Sequence, residues 1–167
     1  MNDATPTPPA EDDLPEQMLV RRNKRQQLLD SGEDPYPVVV ARTHTLKQIV
    51  TTYDAEALGA DVQTGDIASI TGRVIFLRNT GKLCFVRLRE GDGTELQAML
   101  SLDLVGEERL AAFKSLVDIG DHLAVTGEII TSRRGELSVQ ATTWQIAAKT
   151  VRPLPNEPGE GCVLDGF

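Results

Sequence analysis

Residues Gly72–Gln97 read GRVIFLRNTGKLCFVRLREGDGTELQ, and the alternation within this stretch decides what fold the chain can adopt. Asn79-Thr80-Gly81 and Gly91-Asp92-Gly93 supply tight-turn residues, so the β-rich segments beside them pair as hairpins. In an extended strand over Leu83–Arg89, successive side chains point to opposite faces. Cys84, Val86 and Leu88 then make a core face, while Phe85, Arg87 and Arg89 share the other. A ring set among cations on an open sheet face suits single-stranded nucleic acid, because it stacks a base while arginines meet phosphates. The same alternation is met if Phe85 covers a barrel end or packs beneath a helix, and the pattern gives these two roles equal weight.

Strand patterns continue outward from this stretch. Ile67–Leu77, Leu83–Arg89 and Glu95–Leu100 follow one another, and Glu107–Val117 then sets Leu110, Phe113, Leu116 and Val117 at helical spacing. His122–Thr131 and Leu137–Ile146 close the series across Ser132-Arg133-Arg134-Gly135. Three meander strands, a helix and a final hairpin give the order of a five-stranded Greek-key OB barrel. The expected fold is therefore mostly β, with a helix between strands three and four and an N-terminal helix before the barrel. Such barrels bind oligonucleotides across strands two and three and the nearby loops, which is where Phe85 and Gln97 fall.

Gln97 lies between core-facing Leu96 and Ala98, so its amide shares the face of Phe85 and can meet a base edge as donor and acceptor together. Glutamines are common on surface strands, and it is the company of Phe85 that marks this one. Arg78 and Lys82 bracket the first hairpin, where cations can meet phosphate or simply be solvated. Glu136 opens the last strand as a lone carboxylate, by itself a solubilising charge, and Trp144 is expected in the core. Thr80-Gly81-Lys82 lacks the earlier glycine of a phosphate-binding loop, and Leu83 follows the lysine. His44 and His122 have no cysteine or acid at ligand spacing, so no metal site is expected. No nucleophile elbow, catalytic triad or dinucleotide fingerprint is present in the sequence.

The flanks and the composition set the limits. Residues 1–15 are acidic and Pro-rich without periodicity and are expected to be disordered. Glu16–Ser31 contains good helix formers and stops at Gly32, with Met18, Leu19, Leu28 and Leu29 as a sparse apolar stripe. That pattern predicts a helix lying on the domain surface with its basic side exposed. Pro35 and Pro37 force Glu33–Pro37 into an extended segment. Thr45 is placed to cap a short helix through Tyr53, and 54–65 reads as loop. The 167 residues are 40% hydrophobic and only 4% aromatic, enough for a core built from Val, Ile and Leu. Net charge is −8, but Asp3, Glu11, Asp12, Asp13 and Glu16 crowd one end while Arg21, Arg22, Lys24 and Arg25 follow directly. The average sign therefore does not decide against nucleic acid. Cys84 in a core strand and Cys162 in a tail make no disulfide framework. No apolar run approaches the roughly 20 residues that cross a bilayer, and a soluble cytoplasmic protein is expected.

Several segments together resemble one family. Leu28-Leu29 through Gly32-Glu33-Asp34-Pro35-Tyr36-Pro37, then Gly72-Arg73-Val74, Gly81-Lys82-Leu83-Cys84-Phe85, Leu96-Gln97, Gly120-Asp121, Gly135-Glu136-Leu137-Ser138 and Arg152-Pro153-Leu154-Pro155 are similar to the N-terminal anticodon-binding domain of bacterial class II lysyl-tRNA synthetases. The resemblance implies that Phe85 stacks on the central anticodon uracil, that Gln97 pairs with that base, and that Arg78 and Glu136 act around it. It also implies that the basic segment Arg21–Arg25 adds tRNA affinity. With Lys82 and Arg87 as cations, these make the expected nucleic-acid site, with the anticodon loop of lysine tRNA as partner, a homodimer allowed and no membrane. Family members continue past Arg-Pro-Leu-Pro into a catalytic domain that uses ATP and magnesium, whereas Asn156–Phe167 is acidic and Gly-rich. The expected division is a tail over 1–15, helix and linker over 16–65, the barrel over 66–152 and a tail over 153–167. No cofactor is expected in this chain, and no aminoacylation from it alone. A stand-alone single-strand-binding protein and an assembly module remain the alternatives.

Overall fold

A computed structural model describes residues 15–154; Cys162 and most of both expected tails lie outside them. The strand β1 (Gln63–Asn79) is long enough to pair twice. Its first part runs antiparallel to β4 (His122–Thr131), and from Arg73 onward it pairs with β2 (Leu83–Arg89). β2 pairs with β3 (Glu95–Ser101), which meets β5 (Leu137–Ala148) in parallel, and β5 returns to β4. The order β1-β2-β3-β5-β4 closes a five-stranded barrel. The expected fold class is thus the one observed.

Alternation puts Ile70, Val74, Val86, Leu88, Leu100, Leu123, Val125, Ile129, Val139 and Ile146 inside, each no more than 2% exposed. Closure brings β5 hard against β4 at Gly127, where a Cβ would stand 2.0 Å from the carbonyl oxygen of Gln140. Only glycine fits there. Between β3 and β4 lie α4 (Leu102–Val105) and α5 (Glu107–Leu116). α5 buries Leu110, Phe113 and Leu116, and Phe113 meets Trp144 edge-on with centroids 5.4 Å apart. Trp144 is in the core, as expected.

The N-terminal helix α1 (Glu16–Asp30) ends through a pair of bonds that need a left-handed residue. Gly32 (φ +83°) donates its N–H to Leu29 O and Glu33 donates to Leu28 O. Thr45 caps α2 (Leu46–Thr52) reciprocally with Gln48, in a full capping box. The stretch read as loop instead carries a turn of helix, α3 (Ala55–Leu58), capped by Asp54, and β1 starts at Gln63 rather than Ile67. Neither α3 nor α4 is long enough to show a period in sequence.

The expectation that α1 turns its basic side to solvent holds at Arg22 but needs correction at Arg21 and Lys24. Arg21 is 8% exposed and donates to Ile119 O, while Lys24 pairs with Asp118 at 2.6 Å. The helix has too few apolar residues to dock by hydrophobic burial alone. It docks through cations that find a carboxylate and a free carbonyl in the 118–121 loop. Lys149, fully buried, completes this cluster with bonds to Asp118 and Asp121 at 2.7 and 2.6 Å. Burial pushes the Asp118 carboxyl up, but Lys149 and Lys24 together outweigh it and hold the group below the usual carboxylate range. The extended Glu33–Pro37 segment is fixed to the same side of the barrel. Lys149 N–H donates to Pro35 O, and Glu33 pairs with Arg109, whose guanidinium lies 4.1 Å from the Trp144 ring centroid.

Candidate nucleic-acid interface

Register across the barrel sets side chains in rows on its outer face. Phe76, Arg87, Gln97 and Ser138 stand side by side on β1, β2, β3 and β5, and Arg78, Phe85, Met99 and Gln140 form the next row. Apart from Ser138, which is buried beneath Gln97, these rows floor a groove of about 900 Å³, walled by the β1–β2 hairpin on one side and the β4–β5 hairpin on the other. All six residues expected from sequence, Arg78, Lys82, Phe85, Arg87, Gln97 and Glu136, line it. None of Arg21, Arg22, Lys24 and Arg25 does.

Phe85 is half-buried on the face opposite Cys84 and Val86, both in the core. The Arg78 guanidinium carbon lies 4.8 Å from the centroid of its ring, within cation–π range. Gln97 Nε2 donates to Ser138 Oγ at 2.9 Å, and Ser138 Oγ in turn donates to Glu136 O at 3.1 Å. Because the hydroxyl proton is used on that carbonyl, Ser138 can only accept from Gln97. This orients the amide and turns its oxygen and remaining N–H toward the groove. Arg87 is not a free cation. Its Nη2 lies 2.5 Å from Glu136 Oε1 and its Nη1 lies 3.8 Å from Glu95 Oε2, so it anchors the Glu136 carboxylate at the groove edge. Lys82 is solvent-exposed, as are Arg133 and Arg134 on the facing hairpin.

The groove also holds residues that sequence reasoning passed over. Met99 and Gln140 follow from the period of two once Gln97 and Ser138 are placed outward, so their signal was present. Arg133-Arg134 was visible as a cationic doublet beside Glu136, but nothing local showed which wall its hairpin forms. Phe76 gave a misleading signal. Strict alternation from buried Val74 points it inward, but a bulge between Val74 and Phe76 shifts the register and turns it out, half-exposed at 50%. Among the described residues no cluster of His, Cys, Asp and Glu has the grouping of a metal site. No described helix is long and apolar enough to cross a membrane.

The groove can therefore stack a flat ring, meet its edge with an oriented amide and a carboxylate, and hold anions along both walls. Comparison with known proteins agrees with this chemistry. The chain is 56% identical over 144 residues to a lysine–tRNA ligase of Mycobacterium tuberculosis (strain H37Ra), across 86% of this chain and 28% of that protein. It is 54% identical over 144 residues to the lysine–tRNA ligase of Kineococcus radiotolerans, again across 28% of the relative. It is also 38% identical over 144 residues to a lysylphosphatidylglycerol biosynthesis bifunctional protein of Mycobacterium ulcerans, covering 12% of its length. The chain thus spans little more than a quarter of the lysine–tRNA ligases it matches. The family of the tRNA anticodon type of OB-fold nucleic acid binding domain matches residues 50–147, which take in the barrel strands short of the last residue of β5 and the whole groove, and the chain belongs to that family.

Proposed function

We propose that the groove reads the anticodon loop of lysine tRNA, and that the chain is the anticodon-binding part of a lysine–tRNA ligase. One observation carries the reading: an amide fixed in orientation by Ser138 stands in the same groove as the ring of Phe85. A pyrimidine stacked on that ring presents its Watson–Crick edge to Gln97. Uracil offers N3–H beside a carbonyl, which the free amide oxygen and N–H can answer together. The Glu136 carboxylate accepts only, so it favours a neighbouring edge that brings an N–H and rejects one that brings a lone pair. Arg78 covers Phe85 in the free protein. When a base takes that place, the guanidinium is released toward phosphate, and Lys82 supplies a second point charge on the same hairpin.

The lysine specificity is supported by the similarity to lysine–tRNA ligases, and the same reading carries a homodimer of the whole protein and a cytoplasmic setting. The test is binding of the full chain to the lysine-tRNA anticodon stem-loop against one with its central uracil replaced. Strong discrimination is expected. Equal binding would mean a general single-strand binder, and no binding to either would end the nucleic-acid reading. Recognition is the whole of the proposed role, so lysine-dependent ATP–pyrophosphate exchange by the chain alone would overturn it.

A further inference from the structure

We propose that Phe76 is a second stacking platform, which holds the nucleotide next to the one on Phe85. The inference rests on the anticodon reading above and deepens it from one base to two. Exposed apolar side chains scattered singly are ordinary on protein surfaces, but Phe76 is not placed at random. It stands opposite Arg87 on the groove floor, two residues from Arg78, which is itself opposite Phe85. The four make a checkerboard in which each ring has a guanidinium as its cross-strand neighbour. Phe76 and Phe85 are then diagonal neighbours, about 7–8 Å apart, a span that one extended nucleotide bridges. The bulge at Val74/Phe76 is what brings Phe76 to this face, and bulges commonly re-aim a side chain at a site. An even ladder would have turned the ring into a core already filled by Val74, Val86 and Leu88. Paired aromatics on a sheet face are the arrangement by which nucleic-acid-binding sheets stack successive bases. The Glu136 carboxylate, pinned by Arg87 beside Phe76, is placed to meet the edge of this second base.

The experiment compares wild type, Phe76→Ala, Phe76→Tyr and Phe85→Ala for binding to the lysine-tRNA anticodon stem-loop, and to versions carrying an abasic site at each anticodon position in turn. Phe76→Ala should weaken binding to the intact RNA by about 5- to 150-fold, the usual range for removing a base stack. One abasic position adjacent to the centre should weaken wild type by a similar factor and Phe76→Ala no further. Phe85→Ala should show the same pattern at the centre, and Phe76→Tyr should bind as wild type does. Unchanged affinity of Phe76→Ala, an equal loss on every abasic RNA, or failure of Phe76→Tyr to restore binding would overturn the proposal. So would a collapse in melting temperature in Phe76→Ala, which would assign the ring to the core. A wild-type protein insensitive to every abasic site sinks the anticodon reading and this inference with it. One sensitive only at the centre, with Phe76→Ala unaffected, sinks this inference alone.

Discussion

Removing Phe85 should separate binding from folding, because its ring is half-buried and faces the groove rather than the core. Phe85→Ala is expected to cost about 1–3 kcal/mol of RNA binding with a small change in melting temperature. Phe113→Ala should do the opposite. That ring is 3% exposed and packed on Trp144, so its loss should cost about 3–5 kcal/mol of stability and leave the affinity of the folded fraction unchanged. If Phe85→Ala melts like Phe113→Ala, Phe85 is a core residue and the stacking role is gone. Gln97 and Lys82 make a second contrast. Gln97→Ala should weaken the correct anticodon more than a variant one, since base edges carry sequence information and phosphates do not. Lys82→Ala should weaken both equally and lower the log–log salt slope by about 0.7 for each single-strand phosphate that the lysine had neutralised. Titrations of both variants on both stem-loops at two salt concentrations decide it, and a reversed outcome would exchange the roles of reader and anchor.

Among the elements, α1 depends most on charge. Its hold on the barrel runs through Lys24, Asp118, Lys149 and Asp121, and the last two are fully buried. Lys149→Ala leaves the buried Asp121 carboxylate without its cation, a change that typically costs about 3–5 kcal/mol. Chemical denaturation measures it, and a loss below about 1 kcal/mol would show that solvent reaches the cluster. The same cluster predicts an acid limb. The Asp118 carboxyl titrates below its unfolded value of about 3.9. Its contribution is therefore complete above that value and disappears as pH falls through the folded one. Melting temperature followed from neutral to strongly acid pH should drop more steeply in wild type than in Asp118→Asn. Parallel curves would assign acid unfolding to other carboxylates.

For the molecule as a whole, barrel closure is the decisive event. The parallel β3–β5 pair, Gln97↔Ser138 to Leu100↔Ala141, joins the meander to the final hairpin. It also brings Gln97 to the serine that orients it, so the reader forms only when the barrel does. Gly127 controls the opposite seam. Gly127→Ala drives a methyl into the Gln140 carbonyl, a backbone atom that cannot rotate away. Overpacking of flexible side chains costs about 1–3 kcal/mol, and this site should exceed that. A urea midpoint equal to wild type would mean that β5 does not pass over Gly127 at this distance.

Much of this molecule was legible along the chain. The alternation of Leu83–Arg89 separated Cys84, Val86 and Leu88 from Phe85 and Arg87, and the order of strands and helix gave the barrel. Gly32, Thr45 and the hairpin turns were readable for the same reason: each acts through bonds to residues a few positions away. Tertiary structure alone decided three other things. It fixed the face of Phe76, because the bulge lies in the pairing of β1 with β2, and no local signal records it. It turned Arg21 and Lys24 inward, because their partners in the 118–121 loop are far away in sequence. It also joined Arg87 to Glu136 and Gln97 to Ser138, pairs far apart in sequence that meet only after closure. Backbone preference and burial repeat along a sequence with the period of their element. Ion pairs, bulges and cross-strand hydrogen bonds have no period, because each depends on which distant residues the fold brings together.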